Sequence, residues 1–169
     1  MKKMFLTAAF AVLGLTGLQA QFEAGPYMGA AVGDGDHSLN IGGTFAYYVP
    51  VAGGFKLGGI TGIDQFFGND NWPDATFLPL AASAKFNITP KFFVGLDLGY
   101  AIGISDAAGD GGFLARPNIG FSLPIVDLYG YFKSISYSWN GPDPGPGPGP
   151  DWDDSWNLGS VGVGAAFKF

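Results

Sequence analysis

The 169-residue sequence contains no cysteine, a single histidine and little charge. Without Cys there is no disulfide framework and no thiolate metal site. With only His37 available, the equipment for acid–base catalysis is sparse. Charged residues make up 13% of the chain, against roughly 25% in ordinary soluble domains. Either the surface is mostly apolar or much of the chain sits in lipid. Beyond residue 20 no apolar run is long enough for a membrane helix, which needs about 20 residues. A mature chain that spans a membrane must therefore do so as a closed barrel, because only closure pairs every backbone group without water.

The first 20 residues read as a signal peptide. Met1-Lys2-Lys3 is basic, Met4 to Leu18 is largely apolar, and Leu18-Gln19-Ala20 suits cleavage. Losing Lys2 and Lys3 leaves six basic against fourteen acidic residues, a net charge of −8. Such a chain is a poor nucleic-acid partner. Residues 21–169 then form one domain. Its 29 Gly and 16 Phe disfavour a helical bundle, since each interior Gly costs a helix roughly 1 kcal/mol.

From Gln21 onward the apolar period is two. Phe92, Val94, Leu96, Leu98, Tyr100 and Ile102 alternate with Phe93, Gly95, Asp97, Gly99 and Ala101. The same alternation runs through 78–88, 113–122 and 160–169. It predicts strands near 22–33, 38–49, 54–66, 76–88, 91–104, 112–123, 127–139 and 156–169. The connections after the even strands are short, and those after the odd strands are longer, polar and acidic. An even strand count with short turns on one rim is the pattern of an eight-stranded antiparallel up-and-down transmembrane β-barrel. Pro26, Pro79 and Pro117 fall inside strands, and a closed barrel has no edge to hold them, so bulges are expected there.

The bulky face carries almost no charge, and the other face is Gly, Ala, Ser, Asn and isolated charges. An eight-stranded barrel has an interior only just filled by side chains. The bulky face is therefore assigned to lipid and the small face to the lumen. Glu23, Lys56, Asp64, Lys85, Asp97, Arg116 and Lys168 become lumen residues. Lys85 is expected diagonal to Asp97, and Asp97 diagonal to Arg116, giving a Lys85–Asp97–Arg116 cluster. It reads either as a gate or proton path, or as a network that pairs unavoidable buried charges. The seventh segment fits less well. Lys133 shares a face with Tyr129, Tyr131, Ile135, Tyr137 and Trp139, so it is expected either to snorkel from lipid or to sit beside a bulge.

The run Phe-Leu-Pro-Leu-Ala-Ala-Ser-Ala-Lys at 77–85, Val-Gly-Leu-Asp-Leu-Gly-Tyr-Ala at 94–101 and the closing Ala-Ala-Phe-Lys-Phe at 165–169 resemble small outer-membrane barrels of the OmpA/OmpX type. Among these they look most like the compact versions of Bacteroidetes-like bacteria. The resemblance covers residues 21–169 and concerns fold, not activity. It implies export to the periplasm, insertion in a Gram-negative outer membrane as a monomer, and contact with outer-membrane lipid and lipopolysaccharide. The terminal Phe169 looks like the recognition signal for the barrel-insertion machinery.

The sequence assigns no catalytic residue and calls for no cofactor. His37, Asp34 and a rim Ser are the only candidates for a lipid-modifying barrel enzyme, and no spacing ties them together. Asp34, Asp36, Asp70, Asp74, Asp106, Asp110, Asp143, Asp151, Asp153 and Asp154 fall on the long-loop rim. Carboxylates suit Ca²⁺ or Mg²⁺, and Asp151, Asp153 and Asp154 are candidates for weak contacts to such ions or to lipopolysaccharide. No loop carries the full Ca²⁺ pattern, and Asp is also an ordinary turn residue. The Pro-Gly repeat at 141–150 excludes helix and sheet. Four readings stay open: a structural or surface-interaction barrel, a narrow porin-like pore, a lipid-modifying enzyme, and a soluble calycin-like barrel with an apolar ligand.

Overall fold

The computed structural model describes residues 21–33, 37–69, 73–138 and 155–169. The expected signal peptide and the Pro-Gly repeat lie outside them. Eight strands follow in chain order: β1 (Gln21–Gly33), β2 (His37–Ala52), β3 (Phe55–Gly68), β4 (Ala75–Asn87), β5 (Phe92–Gly103), β6 (Gly111–Ser122), β7 (Val126–Ser138) and β8 (Ser155–Lys168). Each pairs antiparallel with its neighbours in sequence, and β8 closes on β1. The fold is the expected closed up-and-down barrel, and closure leaves no sheet edge unpaired.

The short turns share one rim with the end of β8. Between β2 and β3 only Gly53 and Gly54 intervene, both at positive φ (55° and 84°). Two successive positive φ values are what a tight hairpin turn requires, and Gly adopts them without strain. The β4–β5 turn is held by Thr89, whose Oγ1 accepts from the backbone N–H of Lys91 and Phe92. On the other rim, the β5–β6 connection forms a short 3₁₀ turn, η1 (Asp106–Ala108), that folds Ala108 into the barrel mouth.

Side chains alternate outward and inward as the period of two requires. Met28, Phe45, Leu80, Leu96, Leu98, Phe113, Phe132 and Val163 face outward and are exposed. Asp97, Arg116, Lys133 and Asp64 face inward and are at most 5% exposed. Charges lie inside and bulky apolar groups outside, the inverse of a soluble domain.

The prolines correct the sequence expectation. The pairing register is the same on both sides of Pro26, Pro79 and Pro117, so no bulge forms there. Each proline keeps its place in the ladder to one neighbouring strand, while pairing to the other lapses locally and resumes in register. A proline lacks one donor, and losing the bond on one side is enough to accommodate it. The register shifts that do occur are in β2, between His37 and Leu39 and between Pro50 and Ala52.

Inward glycines act as sockets for inward rings. A Cβ on Gly164 would meet the Tyr129 ring at 2.4 Å, one on Gly42 the Tyr27 ring at 2.3 Å, and one on Gly120 the Phe93 ring at 2.5 Å. The Tyr131 hydroxyl lies against both Gly29 and Gly162. An eight-stranded lumen is too narrow for large residues at every inward position, so rings fit only beside missing side chains.

Candidate functional site

The lumen is the candidate site, and it is layered. At its short-turn end β4 projects Lys85 toward Glu23 of β1 and Asp127 of β7, with Nζ–O distances of 2.7 and 2.5 Å. Lys168 reaches the other oxygen of Asp127 at 2.6 Å and donates to Ser122 at 2.8 Å. Lys56 lies directly across from Lys85 on the paired strand. Like charges opposed in this way repel, and Lys56 turns away to donate to Gln21 Oε1 at 2.6 Å.

At mid-height Arg116 and Asp97 sit directly opposite each other on β6 and β5, not diagonally. Arg116 Nε donates to Asp97 Oδ2 at 2.8 Å. The guanidinium carbon also lies 5.4 Å from the centre of the Tyr27 ring, within range of a favourable cation–π contact. Lys85 points away from this pair to Glu23 and Asp127. The three residues expected to cluster thus divide between two layers, with Lys85 below and Asp97–Arg116 above.

The third layer is built on Asn40, Asp64, Lys133, Tyr131 and Ser160. Lys133 Nζ donates to Asn40 Oδ1 at 2.7 Å and pairs with Asp64. Ser160 and Tyr131 donate to the same Asn40 oxygen at 2.9 and 3.2 Å, and the Asn40 amide donates back to Asp64 and to the Gln65 carbonyl. Lys133 Nζ also lies 4.8 Å from the ring centres of Tyr27 and Phe66. This overturns the lipid-side placement of Lys133. The Tyr129–Tyr131–Lys133–Ile135 face of β7 is its lumen face, and Leu128 and Phe132 are exposed on the other.

Above the third layer, at the long-loop mouth, the lumen turns apolar. Phe66, Ala75, Phe77, Ala101, Ala108, Leu114, Ile135 and Leu158 form one fully buried cluster. Phe66 and Phe77 meet edge to face with ring centres 6.0 Å apart. The 3₁₀ turn is anchored over this cluster by Ser105, whose hydroxyl accepts from the Thr76 N–H at 2.9 Å and donates to the Asp74 carbonyl. The mouth is a packed plug.

Sequence reasoning missed Asp127 and Lys133. The signal was available: both fall at odd positions of the seventh segment, so two ionisable residues share a face. The aromatic rings on that face drew it to the lipid side instead.

Of the acidic long-loop residues, Asp74 is engaged locally, accepting from the Gly68 N–H and the Gln65 side chain. Asp106 and Asp110 are exposed. Asp34, Asp36, Asp70, Asp143, Asp151, Asp153 and Asp154 lie outside the described residues, as does any arrangement of His37 with Asp34. His37 opens β2 and packs edge-on to Phe66 with ring centres 6.1 Å apart. Among the described residues no three His, Asp or Glu side chains group as a metal site.

No family model matches the chain, and no curated protein matches it in sequence. Solved structures do match its shape. The attachment invasion locus protein Ail of Yersinia pestis aligns with TM-score 0.52 and 15% identity over 89% of this chain and 97% of that one. Neisserial surface protein A aligns with TM-score 0.54 and 12% identity over the same shares. At such identities the likeness is one of fold.

Proposed function

We propose that this chain is a monomeric outer-membrane barrel of a Gram-negative cell surface, with a structural or surface-interaction role and a packed, non-conducting lumen. The observation that carries the reading is the inverted surface: a belt of Phe, Leu, Ile, Val and Met faces outward, and the buried ionisable side chains face inward. A soluble calycin-like barrel would present that belt to water, at a cost of roughly 25 cal/mol per Å² of apolar area. Hydrocarbon removes the cost, and a closed barrel satisfies every backbone group there. The two similar solved structures, one of them titled a surface protein and the other an attachment invasion locus protein, favour a surface role over an internal one.

The plug speaks against the pore reading. Inside the long-loop rim the described lumen is filled by Phe66, Phe77, Leu114 and Ile135, all fully buried. Below them every layer is closed by charge pairs. Outer-membrane lipid and lipopolysaccharide are the natural surroundings of the belt and long loops. Phe169, which follows β8 and is exposed, suits contact with the barrel-insertion machinery.

The test has two parts. The mature chain, recovered from an outer-membrane fraction, should migrate differently before and after boiling. Reconstituted in planar bilayers, it should show no steady conductance. Recovery from the soluble periplasm, or large stable channels, would sink the proposal.

A further inference from the structure

The lower and middle charge layers do not pack directly against each other. Between them lies a chamber of about 40 Å³ bounded by Glu23 and Lys85 on one side, Asp97 and Arg116 on the other, and Asn118 at the wall. Asp97 is only 2% exposed. Its Oδ2 is taken by Arg116, but its Oδ1 is buried without any hydrogen-bond partner among the described residues. A buried carboxylate oxygen left unmet is costly, and native structures almost always satisfy it.

We propose that this chamber holds a resident water cluster that hydrogen-bonds Asp97 Oδ1 and joins the two charge layers into one network. A water needs on the order of 10–15 Å³ of such space and two to four polar partners, so about three molecules fit in about 40 Å³. The chemistry of the walls selects water over an ion. A cation would face Lys85 and Arg116, and an anion would face Glu23 and Asp97. Only a neutral group that both donates and accepts suits a wall with two charges of each sign. In the third layer Asn40, Asp64 and Lys133 satisfy one another directly under the plug. Water thereby extends through the lower lumen as far as the Asp97–Arg116 layer.

The test is water-to-protein magnetisation transfer by NMR on the labelled full barrel in lipid nanodiscs. The expected result is transfer to the Asn118 side-chain amide and the Arg116 Nε–H. The Asn40 side-chain amide should show none and should exchange with deuterium roughly tenfold or more slowly than that of Asn118. Ala46→Val, on the chamber wall, should remove the transfer while the barrel keeps its heat-modifiable migration. Ala166→Val, on the same chamber, replaces it if that variant does not fold. A dry chamber, with no transfer at Asn118, overturns the proposal. So does an Asp97 carboxyl signal that shifts with sodium or potassium concentration, which would mark an ion site, and so does transfer of equal strength at Asn40.

Discussion

Lys133 and Asp64 offer the sharpest test of a sealed upper lumen. Each is about 1% exposed, and the pair is enclosed by Asn40, Tyr27, Phe66 and Ser160. Lys133→Met removes the cation but leaves the Asp64 carboxylate with only the Asn40 amide. Asp64→Leu leaves an ammonium facing three rings and one amide oxygen. Breaking one half of a buried pair strands a charge, and costs about 3–5 kcal/mol. Replacing both halves removes the stranded charge, so the double variant should be more stable than either single one. Urea titration in lipid vesicles, followed by tryptophan fluorescence, measures all four proteins. If each single variant loses less than about 1 kcal/mol, the pair behaves as a solvated one. The upper lumen would then be wet, and the plug above it would not be a seal.

Glycine substitutions separate the two faces of the wall. Gly164→Ala drives a methyl into the Tyr129 ring and should cost about 1–3 kcal/mol, relieved in part by Tyr129→Leu. Gly130→Ala, whose nearest neighbour is a backbone oxygen 3.8 Å from the new Cβ, should be neutral in the same titration. On the belt, Leu96→Arg should lose about 2–4 kcal/mol, while Phe92→Arg, at the strand end, should lose about 1 kcal/mol or less; equal losses would contradict the membrane placement. Thinning the plug with Phe66→Ala and Leu114→Ala together should admit small solutes to the upper lumen before it admits current, because the charge layers below stay paired. Deuterium exchange at the Asn40 side-chain amide reads the first outcome and bilayer recordings the second.

The fold was legible because a single variable, the parity of each position, controls both burial and chemistry in a barrel wall. Every strand lies within three residues of its expected bounds, and the turns of the short rim sit where Gly, Pro and Thr placed them. Parity misled only in β7. There the lumen face holds Tyr129, Tyr131 and Ile135 beside Asp127 and Lys133, and its apolar bulk resembles a lipid face. What turns it inward lies on other strands. Tyr131 needs the space left at Gly29 and Gly162, and Tyr129 needs Gly164. A bulky residue reads as lumen-facing only when its socket is known, and sockets are a property of register between strands distant in sequence.

The same non-locality hid the pairing of charges. Sequence fixes which ionisable residues point inward, but strand stagger fixes their height. Asp97 and Arg116 proved level with each other because β5 and β6 pair them directly, and Lys85 lay low enough to prefer Glu23, 62 positions away on β1. Hairpin neighbours thus account for Asp97–Arg116 but not for Lys85, whose ammonium reaches across the lumen to β1 and β7. Net lumen charge escapes the error of parity, because the two residues misplaced in β7, Asp127 and Lys133, carry opposite signs. Among the described residues five cations meet four anions inside, so the lumen is nearly neutral. Of the six basic residues after residue 20, only Lys91 lies elsewhere, in a short turn. The fourteen acidic residues divide differently, with ten in the long loops and none in the short turns. The long-loop rim thus carries its negative charge with no Lys or Arg to offset it. A polyanion meeting that rim is repelled unless divalent cations lie between them, so any lipopolysaccharide contact made by the long loops must weaken when those cations are chelated.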